Sequence, residues 1–270
     1  MLASKIVPLI PIHNTYIEPF FGGGAVFFKK PPSKREVIVD TNRHLTNFYR
    51  VLQNPVNFEV LQHKLKYTPF SEVEHKDAKS FNKAFDFEEN SVEDAHAFFV
   101  NIMQGFSRKE NGSFALCKKN SEDGSNSRAK AFDNRKHLEL QSKRLRTVEI
   151  YDRTAEWALE YFNTYDAFTY CDPPYINTEC GGYKGYTVED YIRLLDLLVN
   201  FKGKFILSSY PNEPAEAYAN EHGWHCKEFK KRMTVGIQNQ DVDRESVEVL
   251  WSNFQLQTQM SLPASTRKNT

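Results

Sequence analysis

The chain has 270 residues, and 35 Lys and Arg balance 35 Asp and Glu, so the total charge selects no acidic or basic partner. That length buries a full core, either as one domain or as one domain carrying a substantial insertion. Four cysteines, Cys117, Cys171, Cys180 and Cys226, form no C-x-x-C pair and no metal-ligand spacing, so they are expected to be reduced thiols and no metal is expected. No apolar run reaches the length of a membrane span, and no basic start followed by a long apolar core marks a signal peptide. A soluble, cytoplasmic protein without a membrane partner is the expectation.

In chain order, Tyr16 to Phe20 and Glu36 to Val39 are short β-leaning runs, separated by a glycine turn and a helical-looking Ala25 to Lys30. From Gln53 the strand and helix alternation stops. Helical patterns dominate up to Arg146, notably Ser91 to Gly105, with Ser91 and Asp94 as a capping signal, and Arg135 to Leu145. Between them Ser107 to Phe132 is loop-like and rich in Ser, Asn, Gly and Lys. The charge divides here: five Lys face nine acids from Gln53 to Val100, whereas eleven Lys or Arg face five acids from Asn101 to Arg146. Such a basic run is commonly a solvated face, and the alternative is an electrostatic footprint for nucleic acid. On that alternative, Arg108, Lys109, Lys118, Lys119, Arg128 and Lys130 contact phosphates or bases.

Alternation resumes with strands expected at Thr147 to Tyr151, Ala167 to Cys171 and Lys204 to Ser208, and helices at Thr154 to Phe162 and Val188 to Phe201. Thr187 and Asp190 form a capping-box start for the second of these helices. Continuous apolar strands alternating with helices imply a parallel sheet covered on both faces. Trp224 to Met233 and Glu245 to Phe254 look like a hairpin added at one edge. The polar tail from Gln255 is expected to be disordered. His222 and His225 lack a third ligand nearby and are taken as surface histidines. The fold class is therefore α/β with a mostly helical insertion. Residues 1–52 and 147–254 form one domain, 53–146 the insert and 255–270 a flexible tail.

Two stretches carry chemistry. In TYCDPPYI, Thr169 to Ile176, two prolines stop a buried strand. Proline fixes its own φ and restricts the residue before it, so Asp172 and Tyr175 leave the strand end in fixed orientations, at the sheet edge where open α/β proteins bind ligands. In IEPFFGGGAVFF, Ile17 to Phe28, three glycines let the backbone turn sharply and approach a ligand. Asp40 ends the next strand, where such folds hold the two hydroxyls of a ribose. The third glycine of the dinucleotide fingerprint is absent, so a ribose-containing ligand without a pyrophosphate fits better.

With EPFFGGG, VIVDTN, NFYRVLQ, YCDPPY, GGYKGYT and KFILSSYPNE in this order, the chain resembles the DNA adenine N6-methyltransferases of the Dam type. The likeness covers most of the α/β portion and is weakest from about Pro55 to Arg146. It implies a Rossmann-like methyltransferase sheet with an inserted target-recognition domain, S-adenosylmethionine as methyl donor and double-stranded DNA as partner. It also implies that Phe20, Gly22 and Gly24 shape the cofactor cradle, that Asp40 accepts from the ribose, and that Asp152 and Asp172 line the cofactor site. A target adenine is flipped from the duplex at a cost of a few kcal/mol, and Tyr175 offers a face on which it stacks. Asp172 and the Pro173 carbonyl would then accept hydrogen bonds from the amino group and draw it towards tetrahedral geometry. Asp at the first motif position, where cytosine N4 enzymes tend to carry Ser and glutamine or RNA enzymes often carry Asn, favours adenine.

A monomer, and a restriction nuclease as partner, complete these expectations. Two alternatives stay open: a catalytically impaired DNA-binding relative, and transfer to RNA or protein. Family members usually begin with a Pro-Gly-Gly-Lys turn, whereas Met1 to Pro11 aligns with the portion after it. Weak cofactor binding and slow or absent transfer are the corresponding expectation for residues 1–270.

Overall fold

A computed structural model of the chain describes residues 2–85, 90–108, 110–116, 127–176, 186–233 and 244–258. Among the described residues seven strands are present: β1 Thr15–Glu18, β2 Arg35–Val39, β3 Glu149–Tyr151, β4 Ala167–Cys171, β5 Lys204–Ser209, β6 His225–Met233 and β7 Arg244–Ser252. The helices are α1 Ala3–Ile6, α2 Arg43–Gln53, α3 Pro55–Lys66, α4 Glu72–Ala84, α5 Val92–Gln104, α6 Ser127–Asp133, α7 Lys136–Leu145, α8 Ala155–Tyr161, α9 Val188–Val199 and α10 Glu213–His222. The expected α/β class holds. The chain divides into two compact units: residues 1–35, 156–179 and 185–270 in the first, residues 36–155 and 180–184 in the second.

In the first unit the strands run in the order β1-β4-β5-β7-β6. β4 is parallel to β1, with Tyr16 opposite Phe168, and parallel to β5, with Tyr170 opposite Ile206. All five residues of β4 are buried. β7 is antiparallel to β5 and forms the expected hairpin with β6. α9 buries Tyr191, Leu194, Leu195 and Leu198, one stripe of a 3.6-residue period. It begins at the expected reciprocal cap: Thr187 Oγ1 accepts from the Asp190 amide, and the Asp190 carboxylate accepts from the Thr187 amide. Gly203 has no room for a side chain, because a Cβ there would lie 2.3 Å from the Ala167 carbonyl oxygen.

In the second unit β2 and β3 pair in parallel, with Ile38 opposite Ile150. α2 packs against α3, α5 and α7, and α4 against α5. The polar centre of this unit is Asp94, fully buried at the start of α5. Its carboxylate accepts from His44 Nδ1 at 2.6 Å and from the side-chain amides of Asn47 and Asn82, each at 2.9 Å. Ser91 caps the helix as expected, accepting from the Asp94 amide. A bidentate pair between Arg144 and the buried Glu36 ties α7 to β2.

Three expectations are corrected. Ala25 to Lys30 forms turns rather than a helix: isolated bonds such as Phe28 N–H to Gly24 O are present, but the prolines at 31 and 32 prevent propagation of so short a nucleus. β1 stops at Glu18 instead of Phe20, since Pro19 has no amide hydrogen for a ladder. The loop expected from Ser107 to Phe132 holds α6 in its last part. Two helices were not anticipated, α2 and α10; both begin at asparagine caps, Asn42 and Asn212, which accept from amides of the first turn. Cys171 and Cys226 are free thiols as expected, while Cys117 and Cys180, and the tail beyond residue 258, lie outside the described residues.

Candidate active site

β4 runs straight into the proline turn, so Asp172 begins where the last buried strand residue, Cys171, ends. Burial pushes the Cys171 thiol up to about 12, which leaves it protonated and inert. Around Asp172 three hydroxyls and a second carboxylate converge. Tyr170 Oη donates to Asp172 Oδ2 at 3.3 Å, and Tyr175 Oη lies 3.2 Å from Asp172 Oδ1. Tyr175 Oη also donates to Glu248 Oε1 on β7 at 2.7 Å, and Ser208 Oγ on β5 donates to the same oxygen at 2.9 Å. The Tyr175 ring lies against Tyr210, with ring centres 4.4 Å apart.

Asp172 keeps one face open to water, yet the groups packed on its other sides strip away part of its hydration. That desolvation, followed by repulsion from Glu248, pushes it up to about 6; the nearby Tyr175 and Tyr170 hydroxyls act the other way. Water on the open face moderates the shift. At neutral pH Asp172 is an ionised acceptor set among donors, suited to receive hydrogens from an amino group.

The glycine turn follows β1. Gly22 and Gly24 both have left-handed backbones, φ +46° and +59°. A Cβ on Gly24 would collide with the Phe21 ring, whereas one on Gly22 or Gly23 would meet nothing within 4 Å. Backbone with a bare, open side is what a closely approaching ligand requires. Phe20 sits edge-on to Tyr186, with ring centres 6.0 Å apart. At the end of β1 Glu18 is 2% exposed and accepts from Tyr16 Oη at 2.6 Å. Burial dominates its surroundings and pushes it up to about 8.

The remaining expected site residues belong to the second unit. Asp40 ends β2, and its Oδ1 accepts from the Asn42 amide at 2.9 Å, which aims the carboxylate from the head of α2. Asp152 follows β3 and pairs with Arg43 and Arg50, each at 3.5 Å. A hollow of about 440 Å³ in this unit is lined by Arg50, Gln53, Asn54, Asn90 and Ile150, a set that includes none of the expected catalytic residues. Arg108 ends a short turn in which Ser107 and Arg108 have positive φ, and the Arg128 guanidinium stands 5.7 Å from the Phe106 ring. Lys130 is exposed on α6, whereas Lys109, Lys118 and Lys119 lie outside the described residues. Among the described residues no cluster of His, Cys, Asp or Glu could hold a metal ion, and no helix is long and apolar enough to cross a membrane.

Glu18 and Glu248 were not singled out from the sequence. Glu18 carried a signal, an acid inside the apolar run before the glycines. Glu248 carried only an acid within an alternating strand, where the ordinary reading is a solvent-facing side chain.

The first unit is thus a parallel sheet closed by an antiparallel hairpin, with an open-sided glycine turn after β1 and Asp172 at the end of the adjacent β4. The model of the D12 class N6 adenine-specific DNA methyltransferases matches residues 1–234. The chain belongs to that family and is an adenine-specific DNA methyltransferase. It is similar to the Type II methyltransferase M1.LlaDCHI of Lactococcus lactis subsp. cremoris, 30% identical over 218 residues, 75% of this chain and 74% of the relative. The Type II methyltransferase M.MjaIII of Methanocaldococcus jannaschii is 30% identical over 192 residues, 65% and 64% of the two chains. A DNA adenine methylase of Vibrio cholerae is 27% identical over 214 residues, 73% and 71%.

Proposed function

We propose that the chain methylates N6 of adenine at specific sites in duplex DNA, with Asp172, Pro173 and Tyr175 as the reacting-end residues. The observation that carries this reading is the Asp172 carboxylate, fixed at the end of β4 and perturbed to about 6 among the Tyr170 and Tyr175 hydroxyls. An adenine amino group is a poor nucleophile because its lone pair is delocalised into the ring. Asp172 and the Pro173 carbonyl accept its two hydrogens and turn the lone pair out of the ring plane. Asp172 then takes the proton that the newly alkylated nitrogen releases and passes it to water across its open face. Tyr175 presents its ring to the flipped base. Positioning of this kind is the main contribution such a site makes to rate.

The bare sides of Gly22 and Gly23 fit S-adenosylmethionine as the donor. When bound, it would supply an electrophilic sulfonium methyl group, with sulfur as the leaving atom that keeps the C–S electron pair. Phe20, Gly22 and Gly24 would hold it, Asp40 would accept from its ribose hydroxyls, and Asp152 and Asp172 would complete its contacts. Residues 1–52 and 147–254 would carry catalysis, 53–146 target recognition through Arg108, Lys109, Lys118, Lys119, Arg128 and Lys130, and 255–270 a tail. The Type II names of two relatives support a restriction-modification setting with a partner nuclease. A cytoplasmic monomer fits that setting.

The test is tritiated methyl transfer to unmodified duplex DNA by the wild type and Asp172→Ala, with donor binding measured by calorimetry. Loss of transfer with donor binding retained is the expected result. Near-normal turnover by Asp172→Ala would sink the mechanism.

A further inference from the structure

We infer that Glu248 is a positioning residue of this active site, whose carboxylate accepts the hydrogen bond of the Tyr175 hydroxyl and so leaves an acceptor position on Asp172 for the amino group of the target base. The inference rests on the proposed role of Asp172. Tyr175 has one hydroxyl proton and faces two carboxylates, Glu248 Oε1 at 2.7 Å and Asp172 Oδ1 at 3.2 Å. The nearer acceptor has the better geometry, and a neutral donor makes one good hydrogen bond. Asp172 Oδ1 is therefore approached by a hydroxyl that points elsewhere.

Glu248 is built to accept that hydrogen bond. Ser208 Oγ donates to the same oxygen at 2.9 Å, so two hydroxyls fix it. Its strand is anchored: Val249, Leu250 and Trp251 are buried, Leu250 lies opposite Ser208, and Trp251 Nε1 donates to Ser209 Oγ at 3.0 Å. The Tyr175 ring is thus held twice, by Glu248 at its hydroxyl and by Tyr210 at its face. Without the Glu248 carboxylate, the Tyr175 proton turns to Asp172 and competes with the base. Repulsion between the two carboxylates also disappears. The titratable groups facing Asp172 are Tyr170 and Cys171 on β4, Tyr175 in the turn, Glu18 at the end of β1 and Glu248 on β7; Lys30 stands near Glu18. Of these, Glu248 contributes the largest charge effect on Asp172.

The experiment compares wild type, Glu248→Gln, Glu248→Ala and Asp172→Ala. Single-turnover methyl transfer to a duplex oligonucleotide is followed from pH 5 to 8.5, together with KM for DNA and near-UV circular dichroism. An amide at position 248 accepts more weakly than the ionised Asp172 carboxylate, so in Glu248→Gln the Tyr175 hydroxyl should turn to Asp172 while the fold and the KM are kept. Its rate should fall roughly tenfold or more, the worth of one hydrogen bond to a charged group. The acid limb of its rate profile should move to lower pH, because Asp172 loses a like charge. Glu248→Ala should be slower again. A wild-type rate and an unmoved limb in Glu248→Gln, with Asp172→Ala inactive, would overturn the inference alone. Activity in Asp172→Ala would overturn the reading beneath it. Loss of the near-UV signal in Glu248→Gln would assign Glu248 to structure and overturn the inference as well.

Discussion

Glu18→Gln should remove a pH dependence from the stability of the first unit. The wild-type carboxyl is 2% exposed and is pushed from 4.5 to about 8, first by burial and then by Asp172, against the pull of Tyr16, Lys30 and the Phe27 backbone. Lys30 is engaged elsewhere, donating to the Pro31 carbonyl and to Ser33 and lying 4.2 Å from the Tyr16 ring centre. Between the two values the unfolded chain has lost the proton and the native protein keeps it, so stability falls as pH rises through that window and levels off above about 8. At about 1.36 kcal/mol per unit, the full difference is on the order of 5 kcal/mol. Glutamine can still accept from Tyr16 and has no proton to lose. Urea unfolding from pH 5 to 8 is the assay, read by tryptophan fluorescence, because Trp157, Trp224 and Trp251 all fall within the first unit. Groups common to both proteins cancel, and the variant should gain on the wild type by about 1 kcal/mol per unit. Parallel curves would refute a neutral, buried Glu18.

Asp40→Ala should weaken donor binding by about 1 to 3 kcal/mol, the loss of a charged hydrogen-bond pair, and isothermal titration with S-adenosylmethionine measures it. Asp94→Ala should cost the second unit about 3 to 5 kcal/mol, since His44, Asn47 and Asn82 would keep buried donors without their common acceptor; differential scanning calorimetry would register the fall. Replacing Arg108 and Arg128 together by Gln should flatten the salt dependence of DNA binding, by roughly 0.9 in log–log slope for each phosphate contact removed. An unchanged slope would return both to the solvated surface.

Chemistry was legible wherever a local rule acts alone. Two prolines after an apolar run stop β4 at Asp172, and Thr187 with Asp190 starts α9 at the expected residue. Where neighbours compete, the reading failed: Ala25 to Lys30 has helical composition, but glycines before and prolines after leave no room to propagate a turn. α10 escaped because it buries only Ala215 and Ala219, too little apolar surface to leave a periodic mark. The acids of the site divide in the same way. Asp172 and Asp40 stand at strand ends, positions that sequence can identify. Glu248 acquires its meaning from Tyr175, 73 residues away in the chain, through a strand pairing that no local pattern encodes.

The strand that carries Glu248 is made after all the others, yet it lies inside its sheet, between β5 and β6. During synthesis β1 must wait for β4, since Thr15 pairs with Ala167, and at about 5 to 20 residues per second that wait lasts on the order of ten seconds. Nearly all of the second unit, from Glu36 to Ala155, has by then left the ribosome as one continuous stretch. β5 next emerges with an open edge and keeps it until Arg244–Ser252 arrives. A premature stop before β7 would release a chain with β6 unpaired and one edge of β5 open, the arrangement that invites edge-to-edge association. Completion of the first unit's sheet is thereby tied to translation through Ser252.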